Sequence, residues 1–220
     1  MSNDPLQWLE DELAGLSAQH LRRELQLWSR DRASGTICSG DTSLINFASN
    51  DYLGLARELN NPTMQTTLEK FGWGSGASPL VTGRTTVHAA LENDLAAFKA
   101  TARALTFPTG YAANVGTIAA LVDKQDVILS DARNHASIID GCRLSGATVL
   151  VYRHNDVEHL AELLGAATSY RRRLIVTDSL FSMDGDVAPL AKIAELSRAH
   201  DCMLMIDEAH ATGVFGEHGR

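Results

Sequence analysis

An acid and an imidazole, Asp207 and His210, stand three residues apart near the end of the sequence. They follow an apolar run at 203–206 that is short enough to form one buried strand of a parallel sheet. Ligands of open α/β sheets bind just beyond the carboxyl ends of the strands, where such groups can hold or transfer protons. Asp207 could equally cap the segment that follows, so this stretch by itself leaves a catalytic and a structural interpretation open.

Three further polar clusters follow predicted strands, at residues 108–111, 131–135 and 178–182. Because the carboxyl ends of parallel strands meet at one edge of a sheet, we expect all four clusters to form a single site. The turn at Gly110 and Tyr111 enters a helix whose first amides can bind an anion such as phosphate. His135 either hydrogen-bonds the start of the next helix or lays its ring on a flat ligand.

The elements that position these clusters alternate regularly from Thr85 onward. We predict strands at 103–107, 127–129, 148–151, 174–176 and 203–206, and helices between them, including 111–122 and 136–144. Asn155 and Glu158 have the spacing of a capping box for one of these helices. This alternation predicts βαβ units and an α/β fold with a largely parallel sheet.

The amino-terminal part has a different pattern. Leucines recur there at roughly helical spacing, and the pattern continues through Leu21, Leu25 and Trp28. We therefore predict a helical arm over residues 1–45 and an α/β domain over 46–220. Arg22 lies off the apolar stripe, as expected for a solvated helix face.

Four glycines lie within residues 72–83. They predict either a flexible surface loop or a backbone that approaches another group closely. The spacing is neither that of a dinucleotide-binding fingerprint nor that of a nucleophile elbow.

Composition narrows the class of protein. The 220 residues carry a formal net charge of −8, which argues against a nucleic-acid-binding surface. The three cysteines show no metal-ligand or paired spacing, which is typical of reduced cytosolic thiols. The sequence starts without a signal-peptide pattern and contains no apolar run of membrane-spanning length. We expect a cytoplasmic protein without a metal site that binds neither nucleic acid nor membrane.

Residues 204–210 also spell the magnesium-binding motif of DEAH-type helicases. That function needs an upstream phosphate-binding loop that ends in glycine and lysine. None of the four lysines follows a glycine, which argues strongly against the helicase interpretation.

Several longer motifs resemble the α-oxoamine synthases, enzymes that depend on pyridoxal 5'-phosphate (PLP) and have the aspartate aminotransferase fold, fold type I. The motifs are SNDYLGL (49–55), GSGAS (74–78), the Gly110-Tyr111 turn, NHAS (134–137), TDSLFSMDGDVAPL (177–190) and DEAHATGVFGEHGR (207–220). The likeness runs from about Leu21 to Arg220. It implies the PLP-binding large domain of this fold.

Within the family, the sequence is most similar to the enzymes that condense L-alanine with a pimeloyl thioester in biotin biosynthesis. The resemblance implies PLP as cofactor, pimeloyl-CoA or pimeloyl-acyl carrier protein as acyl donor, and a homodimer with its active site at the interface. The alternatives within the family are glycine C-acetyltransferase, 5-aminolevulinate synthase and serine palmitoyltransferase. From another class, a non-catalytic interaction protein on the same scaffold also stays open.

The resemblance also implies roles for particular residues. Asp207 matches the carboxylate that pairs with the pyridine nitrogen, His210 the partner of the phenolic oxygen, and His135 the imidazole that stacks on the ring and meets the substrate. Further matches are Gly110, Tyr111 and Ser182 as cofactor contacts, Arg22 as a contact of the acyl substrate, and Asp178 and Asn50 as polar site positions.

One departure from the family pattern concerns a lysine. The family binds PLP covalently through a lysine in a Ser-Lys context, beyond the segment that corresponds to 207–220, and no lysine of this sequence stands in that context. We therefore expect residues 1–220 to be the amino-terminal part of the enzyme and to be inactive alone.

Overall fold

A computed structural model describes residues 4–31, 35–57 and 62–220. These residues separate into two compact units, Met1–Arg57 and Glu58–Arg220. The division into an arm over 1–45 and a PLP-binding domain over 46–220 stays a prediction about the complete protein.

The first unit contains a helix and a small antiparallel sheet. Helix α1 spans Gln7–Ala18, and a sheet of order β1-β2-β3 is formed by β1 (Ser29–Arg30), β2 (Thr36–Ser39) and β3 (Thr42–Ile45). The leucine spacing predicted a helical arm. This prediction is only partly correct, because the chain after α1 forms strands.

The helix ends at Ala18 because the backbone turns there. His20 has a positive φ of 56°, and Leu21 N–H donates to Leu16 O at 2.9 Å. This is the hydrogen bond of a Schellman motif, which satisfies a carbonyl of the last turn and directs the chain away from the helix axis. The predicted continuation through Leu25 and Trp28 is wrong, since neither residue lies in a helix.

The second unit is an α/β domain around a four-stranded parallel sheet of order β5-β4-β6-β7. Its strands are β4 (Val127–Asp131), β5 (Thr148–Tyr152), β6 (Arg173–Asp178) and β7 (Met203–Asp207), and its helices are α2 (Pro62–Phe71), α3 (Thr86–Phe98), α4 (Gly110–Leu121), α5 (Ala136–Ser145), α6 (Val157–Ala166) and α7 (Leu190–Ala199). The predicted parallel sheet and its alternation with helices are confirmed. In the described ranges no helix is both long and apolar enough to cross a membrane.

Two predictions in this unit are wrong. No strand forms at 103–107, because the Glu92 carboxylate, rather than a neighbouring strand, accepts from the N–H and hydroxyl of Thr106 at 3.2 and 3.1 Å. The residue that caps α6 is Asp156, whose carboxylate accepts from His159 N–H at 2.8 Å. Asn155 instead takes the left-handed conformation, with φ of 56°.

The glycine segment closes on itself. Pro79–Gly83 forms one π-helical turn, in which a Cβ on Gly83 would lie 1.9 Å from the carbonyl oxygen of Ala77. Of the two predictions for this segment, the close backbone approach is the one observed, and the group approached is the backbone of the segment itself. Only glycine fits at residue 83.

The core lies on both faces of the sheet. Alternate residues of each central strand point to opposite faces, so Leu129 and Ile175 join one buried cluster, whereas Ile128 and Leu174 join the other. Helices α6 and α7 cover the first face, and α4 and α5 cover the second. Packing on both faces fixes the strands whose carboxyl ends carry the polar clusters.

Replacing Leu160 by alanine tests this packing. Leu160 is fully buried in the first cluster, so Leu160→Ala should lower the free energy of unfolding by about 2–5 kcal/mol through lost burial and a residual cavity. Leu144, also on a helix, is 67% exposed, and the matched Leu144→Ala should change it by about 0.5 kcal/mol or less. Denaturation curves of the complete gene product measure both; equal losses would contradict this assignment of the core.

Candidate active site

A cleft of about 480 Å³ opens at the carboxyl ends of the parallel strands. It is bounded by the start of α4, the turn that enters α5, the turn after β6 and the turn after β7. The lining includes all six residues for which cofactor contacts were predicted, namely Gly110, Tyr111, His135, Ser182, Asp207 and His210. Their roles stay predictions, but the structure brings these residues together.

Other predicted positions lie in different places. Asp178 also lines the cleft. Arg22 and Asn50 belong to the first unit, where the Arg22 guanidinium pairs with Glu24 at 3.0 Å. All four lysines lie in the described ranges, and none of them lines the cleft.

Asp207 is held in place at the end of β7. Its Oδ1 accepts from Ala209 N–H at 2.9 Å and its Oδ2 from the amide of Asn114 at 2.7 Å. Its carbonyl oxygen accepts from both the N–H and the hydroxyl of Ser179, at 2.8 and 2.9 Å. Each carboxylate oxygen has a second lone pair, so Asp207 can still accept a hydrogen bond from a ligand.

His135 caps the amino terminus of α5. Its Nδ1 lies 2.7 Å from the hydroxyl of Ser137 and accepts from Ser137 N–H at 3.2 Å. The backbone N–H of His135 donates to Asp178 Oδ2 at 2.9 Å. The two interpretations of this histidine therefore do not exclude each other: it caps the helix and it also lines the cleft.

Asn134 ties this turn to the sheet. Its Nδ2 donates to Val176 O and to Ser130 Oγ, each at 2.9 Å, and its Oδ1 accepts from Asp178 N–H at 3.0 Å. The loop that carries His135 is thus fixed to both central strands.

Asp178 is a perturbed carboxyl group. Burial raises the pKa of Asp178 above its usual value, and the charge of Asp207 acts in the same direction, whereas the hydrogen bond from His135 N–H opposes both. The two aspartates are direct partners in the register of β6 and β7. The cleft therefore holds two carboxyl groups with different environments on one rung of the sheet.

The start of α4 offers an anion-binding end of the cleft. The hydroxyl of Thr109 accepts from Ala112 N–H at 3.0 Å, and helix geometry leaves the amides of Gly110 and Tyr111 without an intrahelical acceptor. Tyr111 also donates its hydroxyl to Asp140 at 3.0 Å, which raises the pKa of Tyr111. Exposed amides and a carboxylate in one cleft suit a ligand with an anionic group and a basic nitrogen.

A compact turn forms one wall of the cleft. Leu180 and Val187 form an isolated bridge, and Gly185 N–H donates to Phe181 O at 2.8 Å. The side chain of Asp184, on this turn, pairs with Arg133 at 2.6 Å, and both residues line the cleft. Ser182 is presented by this turn.

His154 supports the turn from behind, and sequence reasoning missed it. Its two ring nitrogens lie 2.8 Å from Asp131 Oδ1 and 2.6 Å from Asp186 Oδ2. Its ring meets Phe181 edge to face at 4.5 Å between centroids. Burial would lower the pKa of His154, but hydrogen bonds and charge from Asp131 and Asp186 outweigh burial and raise it.

Asn114 was also missed. It lies four residues after Gly110, hence on the same face of α4, and it lines the cleft while only 6% exposed. That spacing from the predicted anion-binding turn is the signal that could have identified it.

Comparison with known proteins identifies a family and relatives that agree with each other. A family model described as aminotransferase class I and II matches residues 42–220. An 8-amino-7-oxononanoate synthase of Anaeromyxobacter sp. is 49% identical over 221 residues, which cover 100% of this chain and 55% of that protein. The chain therefore spans about half the length of the curated relatives it matches.

Solved structures extend the comparison. The serine palmitoyltransferase of Sphingomonas wittichii matches with a TM-score of 0.88 and 34% identity, over 99% of this chain and 56% of that one. A structure described as SPT with PLP matches with a TM-score of 0.87 and 31% identity, over 98% of this chain and 55% of that one. The 8-amino-7-oxononanoate synthase and the serine palmitoyltransferase are both α-oxoamine synthases. The resemblance drawn from the motifs is therefore confirmed.

The contact between His154 and Asp186 predicts a pH-dependent stability. The pKa of His154 is raised above its ordinary value of about 6.5, and the pKa of Asp186 is lowered below about 3.9 by His154. Stabilisation from the histidine is complete below about pH 6.5 and is lost as the pH rises through its raised pKa; stabilisation from the aspartate is lost only in acid. The pair should therefore stabilise the fold most between these limits.

A double-mutant cycle with His154→Gln and Asp186→Asn measures this coupling. We expect a favourable coupling free energy at about pH 6 that declines toward zero at about pH 9.5. A coupling that is constant or grows over this range would show that the charge of His154 does not hold the turn.

Proposed function

The chain belongs to the aminotransferase class I and II family and has the large-domain fold of fold-type I PLP-dependent transferases; on this premise we propose that the complete protein is an 8-amino-7-oxononanoate synthase. In this reaction L-alanine and a pimeloyl thioester (of CoA or acyl carrier protein) condense, with release of CO2 and free thiol, in biotin biosynthesis. The observation that carries the proposal is the convergence of all six predicted cofactor contacts on one cleft.

The residues of the cleft fit PLP. The amides of Gly110 and Tyr111 at the start of α4 suit its phosphate, and Asp207 keeps lone pairs that can accept from a protonated ring nitrogen. Ser182 adds a hydroxyl from the turn after β6. When bound, PLP supplies an electron sink for the electrons released at the α carbon of the amino acid.

In this proposal Asp207 holds the ring nitrogen in its protonated state. The hydrogen bonds from Asn114 and Ala209 fix the carboxylate before any ligand binds, so no reorganisation is needed when charge develops. His210, three residues further along the turn, is assigned to the phenolic oxygen of the cofactor. His135, from the facing turn, is assigned to the ring face and to the substrate.

Arg22 is proposed to select the acyl substrate. A guanidinium binds a carboxylate with two parallel hydrogen bonds, and a pimeloyl group carries a terminal carboxylate that acetyl and palmitoyl groups lack. The exposed Arg22 guanidinium pairs with the Glu24 carboxylate at 3.0 Å.

Serine palmitoyltransferase is the second candidate, because a structure with that activity matches at a TM-score of 0.88. The higher identity, 49%, belongs to an 8-amino-7-oxononanoate synthase, and this difference favours the first candidate.

Location and assembly form part of the same proposal. Cys38, Cys142 and Cys202 are all free thiols, as expected in the reducing cytoplasm. Trp73 and Leu80 are 85% and 100% exposed on the glycine segment. Apolar side chains of this size are commonly covered by another subunit, which supports the proposed homodimer.

The substrate assignment is tested with matched pairs of substrates. The complete gene product should show a far higher kcat/KM with L-alanine and pimeloyl-CoA than with glycine and acetyl-CoA or serine and palmitoyl-CoA. Arg22→Lys, which keeps the charge but not the paired geometry, should raise KM for the pimeloyl thioester and leave KM for alanine unchanged. Equal kcat/KM values with the three pairs would contradict the substrate assignment and leave only the assignment to the family.

The role of Asp207 is tested against its neighbour. Asp207→Asn removes a charge-assisted hydrogen bond worth about 1.5–3 kcal/mol, so kcat should fall roughly ten- to two-hundred-fold while PLP still binds. Glu208 does not line the cleft and pairs with Lys99 at 2.5 Å, so the matched Glu208→Gln should keep most of the turnover. If the two variants show the reverse order, the wrong carboxylate has been assigned to the ring.

A further inference from the structure

Asn114 joins Asp207 to the turn that carries His135. Its Nδ2 lies 2.7 Å from Asp207 Oδ2 and 2.9 Å from Ser137 Oγ. A side-chain amide nitrogen has two hydrogens, so it can donate to both acceptors at once. Asn114 and Ser137 are 6% and 1% exposed, so these hydrogen bonds lie away from bulk water.

The carboxylate fixes which way the amide points. The nitrogen and oxygen of an asparagine side chain are assigned from their hydrogen-bond partners. An ionised carboxylate only accepts, so the opposite orientation would place the amide oxygen of Asn114 against Oδ2 of Asp207. The nitrogen must therefore face Asp207, and through the same nitrogen Asn114 donates to Ser137.

The hydroxyl oxygen of Ser137 has two lone pairs, so accepting from Asn114 does not by itself decide its bond to His135. The backbone N–H of Ser137 decides it, because this N–H donates to Nδ1 of His135 at 3.2 Å and excludes a proton on that nitrogen. The hydroxyl therefore accepts from Asn114 and donates its single proton to Nδ1 at 2.7 Å. Two donors converge on Nδ1, so this nitrogen is an acceptor.

We propose that Asn114 and Ser137 are positioning residues that link Asp207 to His135 by hydrogen bonds and hold its imidazole as the tautomer protonated on Nε2. A neutral imidazole carries one proton, so with Nδ1 bare the proton is on Nε2. The ring then offers a hydrogen-bond donor, not an acceptor, to an anionic group in the cleft, such as a carboxylate. The tautomer follows from the contacts alone; its use toward an amino-acid carboxylate rests on the proposed function.

Nitrogen NMR tests the tautomer directly. In the complete gene product labelled with ¹⁵N-histidine, two-bond proton–nitrogen correlations distinguish a protonated Nε2 from a protonated Nδ1, and loss of a signal in His135→Gln identifies the residue. At a pH where His135 is neutral, we expect a protonated Nε2 and a bare Nδ1. A protonated Nδ1 in the unchanged protein would overturn the proposal.

Three variants separate the relay from the general fold. Ser137→Ala removes the hydroxyl donor, and Asn114→Ala removes the group that orients it. Both should shift the Nδ1 resonance part of the way toward the protonated position, because only the backbone N–H of residue 137 then remains as a fixed donor. Ser137→Thr keeps the hydroxyl and should retain the pattern of the unchanged protein. An unshifted Nδ1 resonance in Asn114→Ala, with the other backbone signals in place, would also overturn the proposal.

The measurement needs neither cofactor nor substrate. A protein that fails the alanine and pimeloyl-CoA assay but shows a bare Nδ1 would keep the relay and lose the proposed function. Normal turnover together with a protonated Nδ1 would support the proposed function and overturn the relay. If Ser137→Ala does not fold, Asn114→Ala and Ser137→Thr still decide the question.

Discussion

The parallel register between β6 and β7 is the constraint on which the site depends. It places Asp178 opposite Asp207 on the last rung of the sheet, and Ser179 extends the contact by donating twice to the Asp207 carbonyl. Two carboxyl groups this close repel each other when both are ionised. The structure gives them different donors: a backbone amide of the α5 turn binds Asp178, and the amide side chain from α4 binds Asp207.

That division of donors requires helices on a fixed face of the sheet. Helices α4 and α5 lie on the same face and share the buried cluster around Ile118 and Ile138. Because apolar packing sets the distance between these helices, Asn114 of α4 can reach both Ser137 of α5 and the end of β7. The core thus positions polar side chains that are far apart in sequence, and the site is preorganised by packing that has no chemical role itself.

The sequence allowed the sheet and much of the cleft to be predicted, because central parallel strands are continuous apolar runs and their carboxyl ends meet at one edge. It did not reveal contacts between distant residues. The segment at 103–107 has the pattern of a strand, but the acceptor that Thr106 meets is the Glu92 carboxylate, which periodicity cannot show. His154 gave no signal because Asp131 and Asp186 lie 23 and 32 residues away along the chain. The end of α1 at Ala18 depends on the backbone conformation of His20, which the leucine spacing does not encode.

Asn134 has a geometric consequence for the position of the turn that follows β4. Backbone pairing between β4 and β6 stops at Ser130 and Val176. The side-chain amide of Asn134, in the turn after β4, then binds Val176 O and Asp178 N–H of β6. A side-chain amide has the same donor and acceptor as a peptide group, so Asn134 continues the hydrogen bonding along β6 where backbone pairing with β4 ends. The distance between this turn and β6 is therefore set by a single asparagine side chain, and glutamine, which has the same amide and one more methylene group, would be the wrong length for it.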